Sequence, residues 1–206
     1  MKKLLLLLLF IPLVSCSPDE EKELPFYVAE NGVTIKARDW VAVGTTAPIN
    51  AQGVAYIKNL KGAPEWDKVN YTAVDLAWLK LVLNTYSDLS ALVTTKVEIS
   101  NEDSAKRLFL RTEIKGMENW DVSNWTSMYG LFDSDKPIKS DLSYWDVSKA
   151  TNMSGFFSDS SDNKYIEGID LSGWNVTKVT TCNDFFGSIT NWPESKKPNF
   201  TNCNPN

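Results

Sequence analysis

The side chains best suited to chemistry are acidic or amide groups that recur at regular spacing. Asp121, Asp146 and Asn175 each follow a tryptophan, in the segments Trp-Asp-Val-Ser, Trp-Asp-Val-Ser and Trp-Asn-Val-Thr. If these segments lay side by side in a parallel sheet, equivalent side chains would stand about 4.8 Å apart. Oxygen atoms at that spacing suit Ca²⁺, but no EF-hand spacing is present. Hydrogen-bonded or solvated side chains account for the same pattern, so no metal site is expected.

The sequence carries little other catalytic equipment. The chain has no histidine, which removes the commonest general base and metal ligand at neutral pH. It also lacks the G-x-S-x-G, H-E-x-x-H, P-loop and G-x-G-x-x-G motifs. A pair of carboxylates acting on a glycoside stays formally possible. We nevertheless predict a protein that is not an enzyme and that needs no cofactor.

The first of the three cysteines ends a segment typical of an export signal. Two lysines precede an apolar run over residues 4–11, which is too short to span a bilayer. The following tetrapeptide, Leu-Val-Ser-Cys, ends at Cys16 and resembles the bacterial lipobox. That resemblance implies cleavage after Ser15 and acylation of Cys16 (diacylglyceryl, palmitate-type chains), which would anchor the protein on a membrane. The alternative is an ordinary secretory signal in which Cys16 is incidental.

The other two cysteines lie near the C-terminus, at Cys182 and Cys203. An exported protein meets an oxidising compartment, where cysteine pairs form disulfides. A Cys182–Cys203 bond would fold the tail over the last part of the chain and would contribute about 3 kcal/mol in the chain-entropy model. Two separate thiols are the alternative.

The recurring Asp and Asn residues belong to an internal repeat that is defined by its apolar residues. Three copies cover residues 117–132, 142–157 and 171–186, here called the first, second and third repeats. Trp120, Trp145 and Trp174 are 25 and 29 residues apart, and the last phenylalanine of each copy keeps the same spacings. Such a period is typical of units that bury their apolar edges only against their neighbours.

The spacing inside one repeat predicts its shape. Apolar residues at positions 1, 4, 6 and 9 match the leucine-rich-repeat frame, although the ninth position lacks the usual asparagine. Alternation in Trp-Asp-Val-Ser predicts a strand, and Met153, Phe156 and Phe157 at i, i+3 and i+4 predict a short helix that a threonine caps. The expected fold is therefore α/β: a short leucine-rich-repeat-like solenoid, with a strand plus a short helix per coil and an N-terminal α+β cap.

The pattern W-D-V-S-x-x-T-x-M-x-x-x-F resembles a known bacterial surface-protein repeat. It is similar to the repeat of about 25 residues in the BspA-family leucine-rich-repeat surface proteins, which include lipoproteins of mycoplasmas, Gram-positive commensals and Bacteroidetes. The similarity covers roughly residues 114–188. It implies a binding or adhesion role at the cell surface and supplies no catalytic residues.

These features divide the chain into five parts. We expect a lipoprotein signal peptide at 1–15, an acidic tether at 16–25, an N-terminal α+β cap at 26–93, the repeat solenoid at 94–188 and a C-terminal cap at 189–206. Acidic residues behind a lipidated cysteine resemble an export signal of Bacteroidetes lipoproteins. The expected location is therefore the bacterial outer membrane, lipid-anchored and exposed at the cell surface.

Charge and exposed aromatics narrow the class of partner. Removal of residues 1–15 leaves 19 basic and 26 acidic residues, a formal net charge of −7, which disfavours nucleic acid. Tyr129, Tyr144 and Trp125 are candidate contacts for a protein or glycan ligand, although packing between repeats would also explain them. The predicted function is a non-catalytic binding or adhesion module. The alternative is a structural or accessory subunit of an envelope lipoprotein assembly.

Overall fold

The computed structural model describes residues 23–49, 70–83, 85–86, 88–106, 108–109, 116–132, 138, 140–158, 168–189 and 191–206. The expected signal peptide, the lipid attachment at Cys16 and most of the tether at 16–25 lie outside these residues. No helix within the described ranges is long and apolar enough to cross a membrane.

Two small sheets form the N-terminal part. Strands β1 (Phe26–Val28) and β2 (Ile35–Ala37) pair antiparallel, as the alternation on both sides of Asn31-Gly32 predicts. The Asn31-Gly32 dipeptide predicts a two-residue turn, but the connection is longer, because the amide of Ala29 donates to the carbonyl of Thr34. In the second sheet, β4 (Tyr71–Ala73) pairs antiparallel with β3 (Thr46–Ala47) and parallel with β5 (Leu92–Val93).

Two α-helices lie among the described residues. Helix α1 (Leu76–Leu83) begins where the Asp75 carboxylate accepts from the amide of Trp78, 2.9 Å away. Its buried residues, Leu79 and Leu83, face the main core. Helix α2 (Glu102–Ala105) begins at Asn101, whose side chain accepts from the amide of Ser104. Single-turn 3₁₀ helices occur at Met117–Asn119 and Glu194–Lys196.

The predicted solenoid of strand-and-helix coils is wrong. The described architecture is two small sheets, few helices and a large aromatic core, and no Trp-Asp-Val-Ser segment in it forms a strand. In the second repeat, the Asp146 carboxylate accepts from the amide of Ser148, and the amide of Ala150 donates to the carbonyl of Val147. These bonds close a turn, so the period-two pattern marks alternate burial rather than an extended ladder.

The predicted short helix after each threonine is wrong for a related reason. Gly130, Gly155 and Asp184 occupy equivalent positions, one residue before the pair of apolar residues, and their φ angles are +53°, +59° and +57°. A left-handed residue interrupts a right-handed helix. The i, i+3, i+4 spacing therefore arises in a turn that directs the same three side chains inward.

Consecutive repeats contact each other through equivalent backbone groups. Thr151 donates its amide to the carbonyl of Thr126, and Thr180 donates to the carbonyl of Thr151, at 2.8 and 2.9 Å. Single parallel bridges join Ser127 to Asn152 and Asn152 to Thr181. Each described repeat thus contributes one bridge residue to its neighbour rather than a whole strand.

The tryptophans provide the second link between units. Indole N–H groups donate to backbone carbonyls of the preceding unit, and all four bonds are buried. The pairs are Trp120 to Leu89 (3.4 Å), Trp145 to Met117 (2.7 Å), Trp174 to Leu142 (3.0 Å) and Trp192 to Ile169 (3.0 Å). The indole of Trp125 is also buried, but its N–H has no partner among the described residues.

The main core is a continuous set of aromatic contacts along the repeats. Phe132 lies 6.0 Å from Trp145, and Phe156 lies 5.8 Å from Trp174, measured between ring centroids. Phe157 and Trp192 continue the series at 5.7 Å. Rings at such separations gain stabilisation beyond the burial of their area.

Candidate functional site

The recurring Asp and Asn side chains are built into turns. Asp121 and Asn175 each accept from the amide and the hydroxyl of the residue two positions later, with the hydroxyl bonds at 2.6 and 2.7 Å. Asp146 accepts from the amide of Ser148 at 3.1 Å. This geometry assigns the residue type at each position to the turn itself, without a ligand.

The surroundings of these three side chains differ. Asp121 is buried, and the ammonium of Lys36 on β2 lies 3.5 Å from its Oδ1. Lys36 is also 3.5 Å from the hydroxyl of Ser123. Asp146 and Asn175 are exposed. The hairpin β1–β2 thus covers the acidic position of the first repeat and leaves the later two open.

A second row of turns runs beside the first. Asp141 and Asp170 stand directly before the first apolar position of the second and third repeats, and each accepts from the amide two residues later. The hydroxyl and amide of Ser172, followed by the positive charge of Lys196, hold the pKa of Asp170 below its usual range. Asp170 therefore keeps its charge on an exposed surface.

A cavity of about 520 Å³ opens between these two turns. Two isoleucines, Ile138 and Ile169, contribute apolar surface, and Asp141 and Asp170 contribute carboxylates. Its full lining is Ile138, Ser140, Asp141, Ser143, Gly168, Ile169 and Asp170. The volume matches a small organic group more closely than a single ion.

The three aromatic candidates lie in different surroundings. Trp125 is fully buried, with its ring 5.8 Å from that of Trp145, so its side chain is packed between repeats. Tyr129 is half-buried, and the ammonium of Lys106 lies 5.6 Å from its ring centroid. Tyr144 is 38% exposed. Of the three, Tyr144 presents its ring to solvent most openly.

The position equivalent to Tyr144 in the third repeat is Gly173, which also borders open space. A Cβ atom at Gly173 would meet nothing within 4 Å. Ser143, which lines the cavity, directly precedes Tyr144. The surface that we call the Tyr144 face therefore combines an exposed ring, polar turn residues and the cavity; it comprises residues 141, 143, 144, 146, 170, 173 and 175.

Sequence reasoning missed a second exposed apolar surface. Trp78 and Leu81 on α1 are 43% and 64% exposed, and Tyr86 follows the helix and is exposed as well. The apolar spacing of the helix is compatible with Trp78 belonging to its buried side. The spacing could also have indicated a separate exposed pair, since Trp78 and Leu81 lie three residues apart, away from Leu79 and Leu83.

Cys182 and Cys203 are joined by a disulfide, with their Cα atoms 5.8 Å apart. Cys182 is fully buried and Cys203 is partly exposed. Within the described part of the chain, no group of three or more Cys, Asp or Glu side chains is placed to hold a metal ion. The predicted attachment site Cys16 lies outside those residues.

One protein-family model matches this chain. It is described as a Mycoplasma protein of unknown function, DUF285, and it covers residues 103–202. That range includes all three repeats and Cys182, and it ends one residue before Cys203. Neither the curated proteins nor the solved structures yield a match.

Proposed function

We propose that this protein is a non-catalytic binding module, held at the bacterial cell surface by a lipid on Cys16. The observation that carries the proposal is that the repeats use different side chains for the core and for the turns. Their large side chains are used in the core, and their acidic side chains are used in turns. What the second and third repeats then offer to solvent is a rigid polar surface with one exposed tyrosine.

The Tyr144 face is the binding surface in this proposal. An exposed aromatic ring supplies a flat apolar contact for a protein side chain or a sugar ring. Beside it, Asp146 and Asn175 each hold one oxygen in a turn and keep further polar atoms toward solvent. The adjacent cavity, with Asp141 and Asp170 at its edge, suits a ligand group that donates hydrogen bonds.

The anchor is argued from the sequence. A lysine-containing start, a short apolar run and Cys16 form a lipoprotein signal, and the acidic residues that follow suit a tether. A lipid-held protein is displayed in many copies on one cell. Weak individual contacts then add up, so a small binding face is sufficient.

A second candidate is an accessory subunit of an envelope lipoprotein assembly. The exposed apolar pair on α1, Trp78 and Leu81, favours it, because such surfaces are typical of contacts between proteins. In this case α1, rather than the Tyr144 face, would contact the partner.

Binding of the full chain to host matrix proteins and to a glycan array distinguishes the two candidates. The first predicts binding that Tyr144→Ala weakens at least about tenfold, since a central aromatic contact carries much of an interface's energy. Tyr86→Ala is the matched control, an exposed tyrosine away from the repeats, and it should bind as the parent does. Loss of a co-purifying envelope protein in Leu81→Ala, with Tyr144→Ala unaffected, would favour the second candidate. Equal binding by the parent and Tyr144→Ala would refute the first.

A further inference from the structure

The end of the chain lies over the third repeat. Residues 198–206, here called the C-terminal strap, follow a firmly held segment in which Trp192 donates to the carbonyl of Ile169 and Leu171 donates to the carbonyl of Lys196. Beyond that segment, the strap reaches the third repeat with a ring, two hydrogen bonds and the disulfide.

The contacts of the strap are few and lie at the surface. Phe200 packs against Phe185, with ring centroids 4.9 Å apart. The side-chain amide of Asn202 donates to the carbonyl of Thr177 at 2.7 Å, and the amide of Phe185 donates to the carbonyl of Pro205 at 3.1 Å. Most of the strap's residues are exposed or half-buried. Ordering nine residues costs conformational entropy that one ring contact and two hydrogen bonds offset only in part.

The strap lies next to a backbone edge of the third repeat, where the amide of Phe185 donates to the carbonyl of Pro205. In the second repeat, the carbonyl of Thr151 accepts from Thr180, and the amides of Met153 and Gly155 donate to the third repeat. The equivalent groups of the third repeat, on Thr180, Cys182 and Asp184, have no such backbone partner within the described ranges. An edge of this kind is a template for pairing with another chain unless it is covered.

We propose that the C-terminal strap is a thiol-sensitive cover over Phe185 and Cys182, held closed by the Cys182–Cys203 bond. Cys203 is the sulfur that an external thiol reaches, because Cys182 is fully buried. Reduction by a dithiol releases the strap and uncovers Phe185, which lies beside the unpaired edge. The repeats keep their structure, since the ring contacts between successive repeats and the indole hydrogen bonds between them do not involve the strap.

The chemical step is ordinary thiol–disulfide exchange. The thiolate of the dithiol bonds to Sγ of Cys203, the Cys182–Cys203 bond breaks, and its electron pair leaves on Sγ of Cys182, which takes up a proton. The second thiol of the reagent then closes its own disulfide and frees the thiol of Cys203. The two protein sulfurs are reduced by two electrons, and the dithiol is oxidised by two.

Hydrogen exchange on the full chain, with and without dithiothreitol, tests the proposal. Complete reduction should be verified by a mass increase of two hydrogens. The amide of Phe185, which donates to the carbonyl of Pro205 in the strap, is then expected to exchange at least about tenfold faster, while amides in residues 142–157 keep their rates. Cys203→Ser without reductant should reproduce the released strap, and it leaves the buried Cys182 site intact.

Two results would overturn the proposal. One is an unchanged exchange rate at Phe185 after both sulfurs are shown to be reduced, which would mean that the strap's other contacts suffice. The other is loss of protection throughout residues 171–186 rather than at Phe185 alone, in which case the disulfide maintains the fold of the third repeat and is no cover.

Discussion

The first and third repeats share an internal plan and differ in what covers them. In both, an indole donates to a carbonyl of the preceding unit, and an Asp or Asn closes the following turn. The first repeat, however, lies under the hairpin β1–β2, so that Asp121 is buried against Lys36. The third repeat lies under the C-terminal strap, and its Asn175 is exposed.

This difference shows that the repeat pattern determines the turns, whereas neighbouring segments determine which side chains of those turns are exposed. A buried Asp needs a charged partner, and β2 supplies one to the first repeat. The exposed counterparts in the second and third repeats need none, and their polar atoms remain open to a ligand. We therefore place binding on the exposed surface of the second and third repeats, which the hairpin touches only where the side-chain amide of Asn31 donates to the carbonyl of Tyr144 at 3.4 Å.

The largest effects are expected at the tryptophans, which the two repeats share. Trp120→Ala and Trp174→Ala should each lower the free energy of unfolding by about 3–5 kcal/mol, because both remove a buried ring and leave a cavity. Urea unfolding measures this. Trp40→Ala is the control, since that ring is 60% exposed, and it should change stability by no more than about 0.5 kcal/mol. A mild effect at either core position would break the common plan.

Substitution of the Asp or Asn that follows each tryptophan should affect stability differently in the first and third repeats. Asp121→Ala is expected to lower the free energy of unfolding by about 1–3 kcal/mol, because it strips the turn bonds to Ser123 and leaves Lys36 without its carboxylate. Asn175→Ala removes only an exposed turn and should cost about 0.5 kcal/mol. Chemical denaturation of both variants at neutral pH makes the comparison. Equal losses would show that the hairpin contact contributes nothing.

The left-handed position should give changes of opposite sign. Gly155→Ala forces a Cβ atom onto a residue at φ +59°, although the nearest atoms, on Ser158, are 3.5 Å away. We expect a loss of about 1 kcal/mol. Asp184→Gly relieves the same strain in the third repeat, at φ +57°, and should stabilise by up to about 1 kcal/mol. Thermal unfolding of the two variants measures both changes. Destabilisation by Asp184→Gly would refute the explanation by left-handed backbone strain.

The smallest expected effect is on the pH dependence of the free energy of unfolding. The hydrogen bonds from Ser172 depress the pKa of Asp170 in the folded state, so its stabilising contribution is complete above the ordinary value of 3.8 and is lost as pH falls through the depressed one. Asp170→Asn keeps an oxygen acceptor for Ser172 but cannot titrate. Its unfolding free energy should therefore fall less steeply than the parent's below about pH 4. Parallel pH profiles of the two proteins would contradict this.

Sequence reasoning was right about which residues face inward and wrong about the backbone that places them. Met153, Phe156 and Phe157 are all buried, as the spacing predicts. Their backbone is a turn, because Gly155 is left-handed, and the frame alone did not distinguish a helix from a turn with the same inward positions. The aromatic core was predictable from the residue types, whereas the strand and the helix of each coil were not.

The surfaces were harder to predict, because they depend on contacts between residues distant in sequence. Lys36 is 85 positions before Asp121, and no local pattern marks their pairing. The carbonyl of Tyr144 likewise accepts from the side-chain amide of Asn31, which is 113 positions earlier in the chain. A unit before the first repeat shares its backbone pattern, because the amide of Leu92 donates to the carbonyl of Leu89 as the amide of Trp120 donates to that of Met117.

The plan shared by the repeats is tested most directly by the hydrogen-exchange rates of the indole N–H protons, measured by NMR on the folded chain. We expect slow exchange for Trp120, Trp145, Trp174 and Trp192, whose N–H groups bond to buried carbonyls, and fast exchange for the exposed Trp40 and Trp78. Exchange at Trp145 and Trp174 as fast as at Trp40 would show that these indoles do not link successive repeats.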